Sequence, residues 1–264
     1  MPSVLSIAGS DPTGGAGIQA DCQVLSAFGI HAAAVPTALT IQNGLRVRRV
    51  LPVFPSLVLE QLRATLDAVR PDAIKIGMLA SDDVVRNVLI ALAGYEKTPV
   101  VIDPVLAASD GTLLLERRAY PALRGLIHGR ALLTPNWHEA EILVDAKLPE
   151  RSDGEAAARQ LLVDLELGAV LLKGGHLEGD ASDLLVWRND SADGDGIESE
   201  WLAGDRIAGA SVHGTGCALS TAIAAGLARG ESLRASVVEG RRYVKDAIRR
   251  AHTLANGARL LAFR

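Results

Sequence analysis

The chain is expected to be an α/β protein whose mostly parallel sheet is covered by helices on both faces. Three observations predict it. Short, continuously apolar runs alternate with longer stretches of helical periodicity, the pattern of strands buried on both sides. Aromatic residues make up only 3% of the chain while Ala, Leu, Val and Gly are plentiful, which suits close packing of helices on a sheet. The 264 residues, 48% of them hydrophobic, suit one large domain or at most two, and a single domain spanning 1–264 is expected.

The expected strands are 4–8, 33–38, 73–76, 99–102, 131–134 and 169–173. Between 38 and 73, Ser56 is placed to cap a helix that presents Val58, Leu62, Leu66 and Val69 on one face and stops at Pro71. Further on, Ser152, Asp153, Gly154 and Glu155 read as a capping box for a helix running through Leu167, with Gly168 as its stop. Two more strands, 183–187 and 198–207, flank a turn at 189–196 rich in Asp, Ser and Gly, a hairpin that breaks the alternation. Repeated strand–helix–strand order elsewhere implies parallel pairing.

Composition excludes several classes. The formal net charge is −4, and the short cluster Arg46, Arg48 and Arg49 is the only basic run, so neither nucleic acid nor an anionic membrane is an expected partner. Cys22 and Cys217 are the only cysteines, too few for a disulfide framework or a structural zinc site. No stretch approaches a membrane span, and Met1 runs directly into an apolar strand without a basic leader, so a cytoplasmic location is expected.

Polar and glycine-rich residues follow the strands one after another: Gly9-Ser10-Asp11, Gly77-Met78, Asp103-Pro104, Pro135-Asn136 and Gly174-Gly175. In an open parallel sheet, ligands bind beyond the carboxyl ends of the strands, so this series points to an enzyme. The run Gly15-Ala16-Gly17-Ile18-Gln19-Ala20 matches G-x-G-x-x-A, yet no Asp or Glu lies between Asp21 and Glu60 to hold a ribose, so the dinucleotide reading fails. The expectation is instead a flexible loop facing the substrate. No Gly-Lys pair occurs, which removes the P-loop.

His213-Gly214-Thr215-Gly216-Cys217 opens a helix of small apolar residues. Unpaired amides and the helix dipole make such a turn an anion site, and a helix start favours a cysteine thiolate; the other reading of Cys217 is a small buried hydrophobe. Asn136 and Glu139 share one face of a helix start. They either place hard oxygens for Mg²⁺, usually through water, or simply cap the helix. Asp103 is a further carboxylate candidate or an ordinary Asp-Pro turn. Lys173 either neutralises a phosphate or ends a strand in solvent, and Asp21 either holds a substrate hydroxyl or faces solvent. Gln42 carries both donor and acceptor, the equipment for reading an aminopyrimidine edge.

Taken together, several segments resemble the hydroxymethylpyrimidine and phosphomethylpyrimidine kinases of thiamine biosynthesis, a branch of the ribokinase-like superfamily. They are Ala8–Asp11, Gly14–Asp21, Thr37–Thr40 with Gln42-Asn43, Lys75–Met78, Asp103–Val105, Thr134–Asn136 with Glu139, Lys173–His176 and His213–Cys217, in the family's order. The resemblance implies a three-layer α/β/α sandwich, a homodimer, and transfer of phosphate from ATP, with Mg²⁺, first to 4-amino-5-hydroxymethyl-2-methylpyrimidine and then to its monophosphate. It further implies that Gln42, Asp21, Met78 and Gly9 line the substrate pocket. Asn136 and Glu139 would hold magnesium with help from Asp103, while Lys173 and Asn136, with Gly214 and Gly216, would contact ATP. Gly214, Thr215 and Gly216 would form the anion hole, with Cys217 as the base. The chain departs from the family's usual pattern in the flap 106–111, which has no Lys, and at Ala210-Ser211-Val212. A pyridoxal or pyridoxine kinase, and a catalytically silent binding protein of the same fold, are the competing readings.

Overall fold

A computed structural model describes residues 1–175, 181–189, 196–207 and 211–263. The chain divides into two compact units, Met1–Leu126 with Gly209–Arg264, and Ile127–Ala208. Residues 190–195 of the expected turn, together with His176 and Ala210, lie outside the described residues.

The first unit begins with β1 (Ser3–Ser10), α1 (Gly17–Ala27), β2 (His31–Gln42) and β3 (Val47–Pro52). It continues through α2 (Pro55–Val69), β4 (Ala73–Ile76), α3 (Asp82–Ala91), β5 (Val100–Ile102) and α4 (Tyr120–Ile127). Its strands lie in the order β3-β2-β1-β4-β5. All neighbours are parallel except β3, which runs antiparallel to β2. Val4, Leu5, Ile7, Ile74, Ile76, Val101 and Ile102 are fully buried, as strands covered on both faces require.

The second unit holds β6 (Leu132–Leu133), α5 (Trp137–Val144), α6 (Arg151–Asp164), β7 (Ala169–Leu172), β8 (Asp183–Arg188) and β9 (Ile197–Leu202). Here β6 and β7 are parallel, and β7-β8-β9 form an antiparallel meander. The chain then returns to the first unit for α7 (Thr215–Ala228), α8 (Leu233–Arg249) and a small antiparallel pair, β10 (His252–Thr253) with β11 (Arg259–Leu260).

Helix α7 is apolar around its whole circumference, and residues 218–226 are all buried. A helix of that composition belongs in an interior, and α7 packs against α1, α8 and strands β1, β4 and β5. Its position explains how the turn that opens it, Gly214–Cys217, is fixed from behind.

Several expected boundaries change. Ser56 lies inside α2, which starts at Pro55 after Phe54 without a side-chain cap; proline at the first helical position needs no N–H there. The box that opens α6 is Glu150 with Asp153, two residues before the expected Ser152, and the helix ends at Asp164 rather than Leu167. β2 is twice the expected length because its far half pairs with β3. The strand expected over 198–207 ends at Leu202, where its pairing with Asp183 of β8 ends.

Candidate active site

In the first unit the site grows from the carboxyl ends of β1, β4 and β5 and from the start of α7. Gly214 caps α7 at φ +85°, and a Cβ there would collide with the Gly15 carbonyl. Only glycine fits that turn. The first intrahelical bond runs from Ala218 N to Gly214 O, so the amides of Thr215, Gly216 and Cys217 have no helical acceptor and present a positive end to an anion.

The loop before α1 is not the flexible element expected from its glycines. Asp11 is buried, and its carboxylate accepts from Thr13 N (2.9 Å), Thr13 Oγ1 (2.8 Å) and Ala16 N (2.9 Å). The same carboxylate meets His213 Nε2 at 2.9 Å. Burial raises the Asp11 pKa, but the His213 and Thr13 hydrogen bonds outweigh it and hold it below the ordinary value. Gly17, at φ +58°, lies so near Gly9 that a Cβ would strike the Gly9 carbonyl oxygen.

Cys217 sits partly buried in the first turn of α7. Burial pushes its thiol up to about 11, and Asp103 and Asp21 push the same way. The Lys75 ammonium and the Gly17 N–H favour the thiolate but are outweighed. Of the two readings of Cys217, a thiolate at a helix start or a small buried hydrophobe, burial here outweighs the groups that favour the thiolate.

Asp21 lies inside the protein. It is fully buried on α1, with Oδ2 accepting from Ser6 Oγ (2.6 Å) and Lys75 Nζ (2.8 Å) and Oδ1 from Thr221 Oγ1 (2.7 Å). Both oxygens are hydrogen-bonded inside the protein, whereas a substrate hydroxyl or solvent was the expected partner. Thr221 lies one turn after Cys217 on the same face of α7, which places the Asp21–Lys75 pair beneath the cysteine. Lys75 stands in the Lys75–Met78 segment of the resemblance, but the sequence assigns it no role. Its β4 strand reads as apolar, yet it carries one wholly buried lysine. Burial lowers the Lys75 pKa, but Asp21, Cys217 and Asp103 together raise it above the ordinary value, so the ammonium stays charged. A lysine inside a strand buried on both faces is itself a signal, because it needs a buried anion.

Met78 and Gly9 meet at the ends of β4 and β1: a Cβ on Gly9 would stand 2.8 Å from Met78 Sδ. Thr37 Oγ1 donates to Met78 O at 2.5 Å. Met78 also packs with Ala38, Ala80 and Leu114, against Val47, Val50, Val105 and Ala108. Val105 takes φ +38°, a strained position for a β-branched residue. Gln42 ends β2 and donates from Nε2 to Thr40 Oγ1 at 2.8 Å. Asp103 is buried directly after β5, its N–H bonded to Ile76 O, and its charge reaches both Lys75 and Cys217.

The second unit brings Asn136, Glu139 and Lys173 together. Asn136 Oδ1 accepts from Glu139 N and Glu139 Oε2 accepts from Asn136 N, both at 2.8 Å, a complete capping box. Lys173 follows β7 and bridges Asn136 in parallel register, with its N–H on Pro135 O at 2.9 Å. Asp183 Oδ1 accepts from the next amide, Gly174 N, at 2.8 Å. Among the described residues no group of three or more His, Cys, Asp or Glu side chains is placed to hold a metal ion directly.

The first unit thus carries a turn of free amides at the head of a buried helix above a buried lysine, and the second an N-x-x-E box with Lys173 bridged to Asn136; each is equipment a phosphotransferase needs. The phosphomethylpyrimidine kinase family model matches residues 11–261, and the chain belongs to that family. It is 40% identical over 259 residues to the thiamine biosynthesis bifunctional protein ThiED of Geobacter sulfurreducens, covering 97% of this chain and 51% of that protein. The chain thus spans about half the length of that relative. The crystal structure of phosphomethylpyrimidine kinase from Clostridium difficile superposes with a TM-score of 0.81 at 33% identity, covering 94% of this chain and 100% of that one. The ADP complex of Bacillus subtilis pyridoxal kinase gives a TM-score of 0.87 at 28% identity over 100% of this chain and 97% of that chain. The expected ribokinase-like fold, a mostly parallel sheet between helical layers, is borne out.

Proposed function

We propose that the protein transfers the γ-phosphoryl group of ATP to the hydroxymethyl oxygen of 4-amino-5-hydroxymethyl-2-methylpyrimidine, and then a second phosphoryl group to the monophosphate. The observation that carries this is the Gly214–Cys217 turn, whose amides are aimed outward from a helix that the core holds rigidly. Phosphoryl transfer asks chiefly for positioning and charge neutralisation, and donors fixed before the reaction provide both.

The acceptor oxygen bonds to the γ-phosphorus while the bridging oxygen takes the electrons of the broken bond and leaves with ADP. The turn amides hold the phosphoryl oxygens. Cys217 takes the hydroxyl proton as its thiolate, the form that the Lys75 ammonium and the Gly17 N–H favour and burial opposes, so the base requires the thiol to lose its proton once substrates are bound. Gln42 at the end of β2 reads the aminopyrimidine edge, with Met78 packed on Gly9 as an apolar wall. In the second unit Lys173 and Asn136 contact ATP. Glu139 and Asn136 fit Mg²⁺ through water rather than directly, since their capping oxygens are already hydrogen-bonded. When bound with ATP, Mg²⁺ neutralises phosphate charge. Asp103, close in charge to Cys217 and Lys75, serves the acceptor side.

The kinase acts as one domain and as a homodimer, a reading supported by the family match over 11–261 and by exposed apolar residues on β2 and β3. No helix among the described residues is long and apolar enough to cross a membrane, and the proposed location is the cytoplasm. The pyridoxal kinases of similar fold support a second reading, phosphorylation of pyridoxal. ADP release with MgATP and a panel of hydroxymethylpyrimidine, its monophosphate, pyridoxal and pyridoxine tests both, with mass spectrometry counting the phosphates. Mono- and diphosphate from the pyrimidine are expected. Turnover of pyridoxal alone would transfer the function to the second reading, and no turnover of any compound would remove both.

A further inference from the structure

We infer that Asp11 and His213 are a pair of positioning residues that lock the glycine loop 14–17 to the anion turn 214–217, and that this lock sets the rate of phosphoryl transfer. The inference deepens the kinase reading and rests on it. Neither residue was assigned a role by its motif, although they lie 202 positions apart and meet at 2.9 Å.

Four observations carry it. First, one buried carboxylate serves both segments: Asp11 accepts from Thr13 and Ala16 in the loop and pairs with His213 beside the turn. Second, the two segments touch without side chains between them. A Cβ on Gly15 would stand 2.8 Å from the His213 ring and 2.6 Å from Leu260, and a Cβ on Gly214 would collide with the Gly15 carbonyl. Third, Cys217 in the turn lies near enough to the Gly17 N–H at the end of the loop for that N–H to favour its thiolate. Fourth, His213 is anchored in its turn from the other side, with its N–H on Arg259 O at 2.9 Å and a bridge to Leu260 of β11. His213 is therefore held by its backbone on the β11 strand and by its ring on a buried carboxylate.

The loop leads from Gly9, which backs the acceptor wall, and the turn receives the phosphate. Their separation is the distance over which the acceptor oxygen and the γ-phosphorus must meet. A displacement on the order of 1 Å costs up to about a hundredfold in rate. A residue that acts only on this distance changes kcat while leaving ground-state binding of either substrate nearly intact. Neither side chain needs to touch substrate for that effect.

The test compares wild type with His213→Ala, His213→Gln and Thr13→Ala. Steady-state kinetics with hydroxymethylpyrimidine and MgATP are combined with hydrogen–deuterium exchange of the ligand-free proteins. His213→Ala is expected to lower kcat about tenfold to a hundredfold with both KM values within about threefold. His213→Gln, which keeps a side-chain N–H donor, should recover much of the loss. In His213→Ala, exchange should rise in 14–17 and 214–217 together. Faster exchange in the turn alone, or a loss expressed only in KM, would overturn the pairing. If His213→Ala does not fold, Thr13→Ala loosens Asp11 from the loop side and must raise exchange across both segments as well. A wild type that phosphorylates no pyrimidine would remove the kinase reading, and the exchange experiment would still decide whether the lock exists.

Discussion

At Cys217, desolvation and a helix start oppose each other, and the buried setting prevails. The thiol of the ligand-free protein should titrate near 11, which ultraviolet thiolate absorbance measured against a Cys217→Ser control will show; a midpoint below the ordinary thiol value would reverse the assignment. Beneath it, Lys75 and Asp21 form a fully buried ion pair at 2.8 Å. Lys75→Met leaves a buried carboxylate without its cation and should destabilise the fold by about 3–5 kcal/mol. Denaturant melts would read this, and Asp21→Asn in the same chain should restore part of the loss because it removes the orphaned charge. Asp11 has a folded-state pKa below its ordinary 3.8. Its contribution is therefore present above the unfolded value and is lost as pH falls through the folded one. Asp11→Asn should flatten the acid limb of the stability curve below about pH 4 relative to wild type, a difference that thermal melts across pH will detect or refute. These residues stood in motifs readable from the sequence, but the long-range partners Lys75, Thr221 and His213 lie 54 to 202 positions from the carboxylates they meet, where no local pattern reaches.

At the scale of elements, the existence and order of strands and helices were legible because hydrophobic period is a local signal, while several of their ends were not. β4 was expected over 73–76 and is found there, and the Asn136–Glu139 box forms as both of its readings allowed. Asn136→Ala should cost about 1 kcal/mol through the lost cap and should also raise the KM for MgATP. A variant with the stability loss and an unchanged KM would leave the pair a cap and nothing more. Gly214→Ala puts a Cβ into the Gly15 carbonyl at a positive φ, with backbone strain of about 1–3 kcal/mol. It should abolish detectable turnover while α7, held by its apolar length, keeps its far-ultraviolet circular dichroism. The start of α6 was misplaced by two residues because Ser152 and Glu155 offer the same local chemistry as Glu150 and Asp153. Packing chose between two boxes that sequence cannot rank.

At the scale of the whole molecule, apolar residues remain exposed on the outer strands of the first unit. Leu39 is 53% and Ile41 49% exposed, and Leu39 pairs across the ladder with Leu51. An exposed apolar strip of this kind marks an interaction surface. The proposed homodimer would use this strip: joint substitution Leu39→Glu with Leu51→Glu should then shift sedimentation from dimer to monomer with the fold intact, and an unchanged sedimentation coefficient would place the contact elsewhere or remove it. The sequence by itself determined the class of fold, the family and the chemistry available, because hydrophobic period, turn glycines and capping pairs act over a few residues. Tertiary structure alone decided what those groups do. It buried Asp21 as the partner of Lys75 rather than exposing it to substrate, stiffened the glycine loop through Asp11 and His213, and raised the Cys217 thiol instead of lowering it. Each of these outcomes depends on desolvation and on charges brought close by folding, and burial is a property of the packed chain that residue order alone does not state.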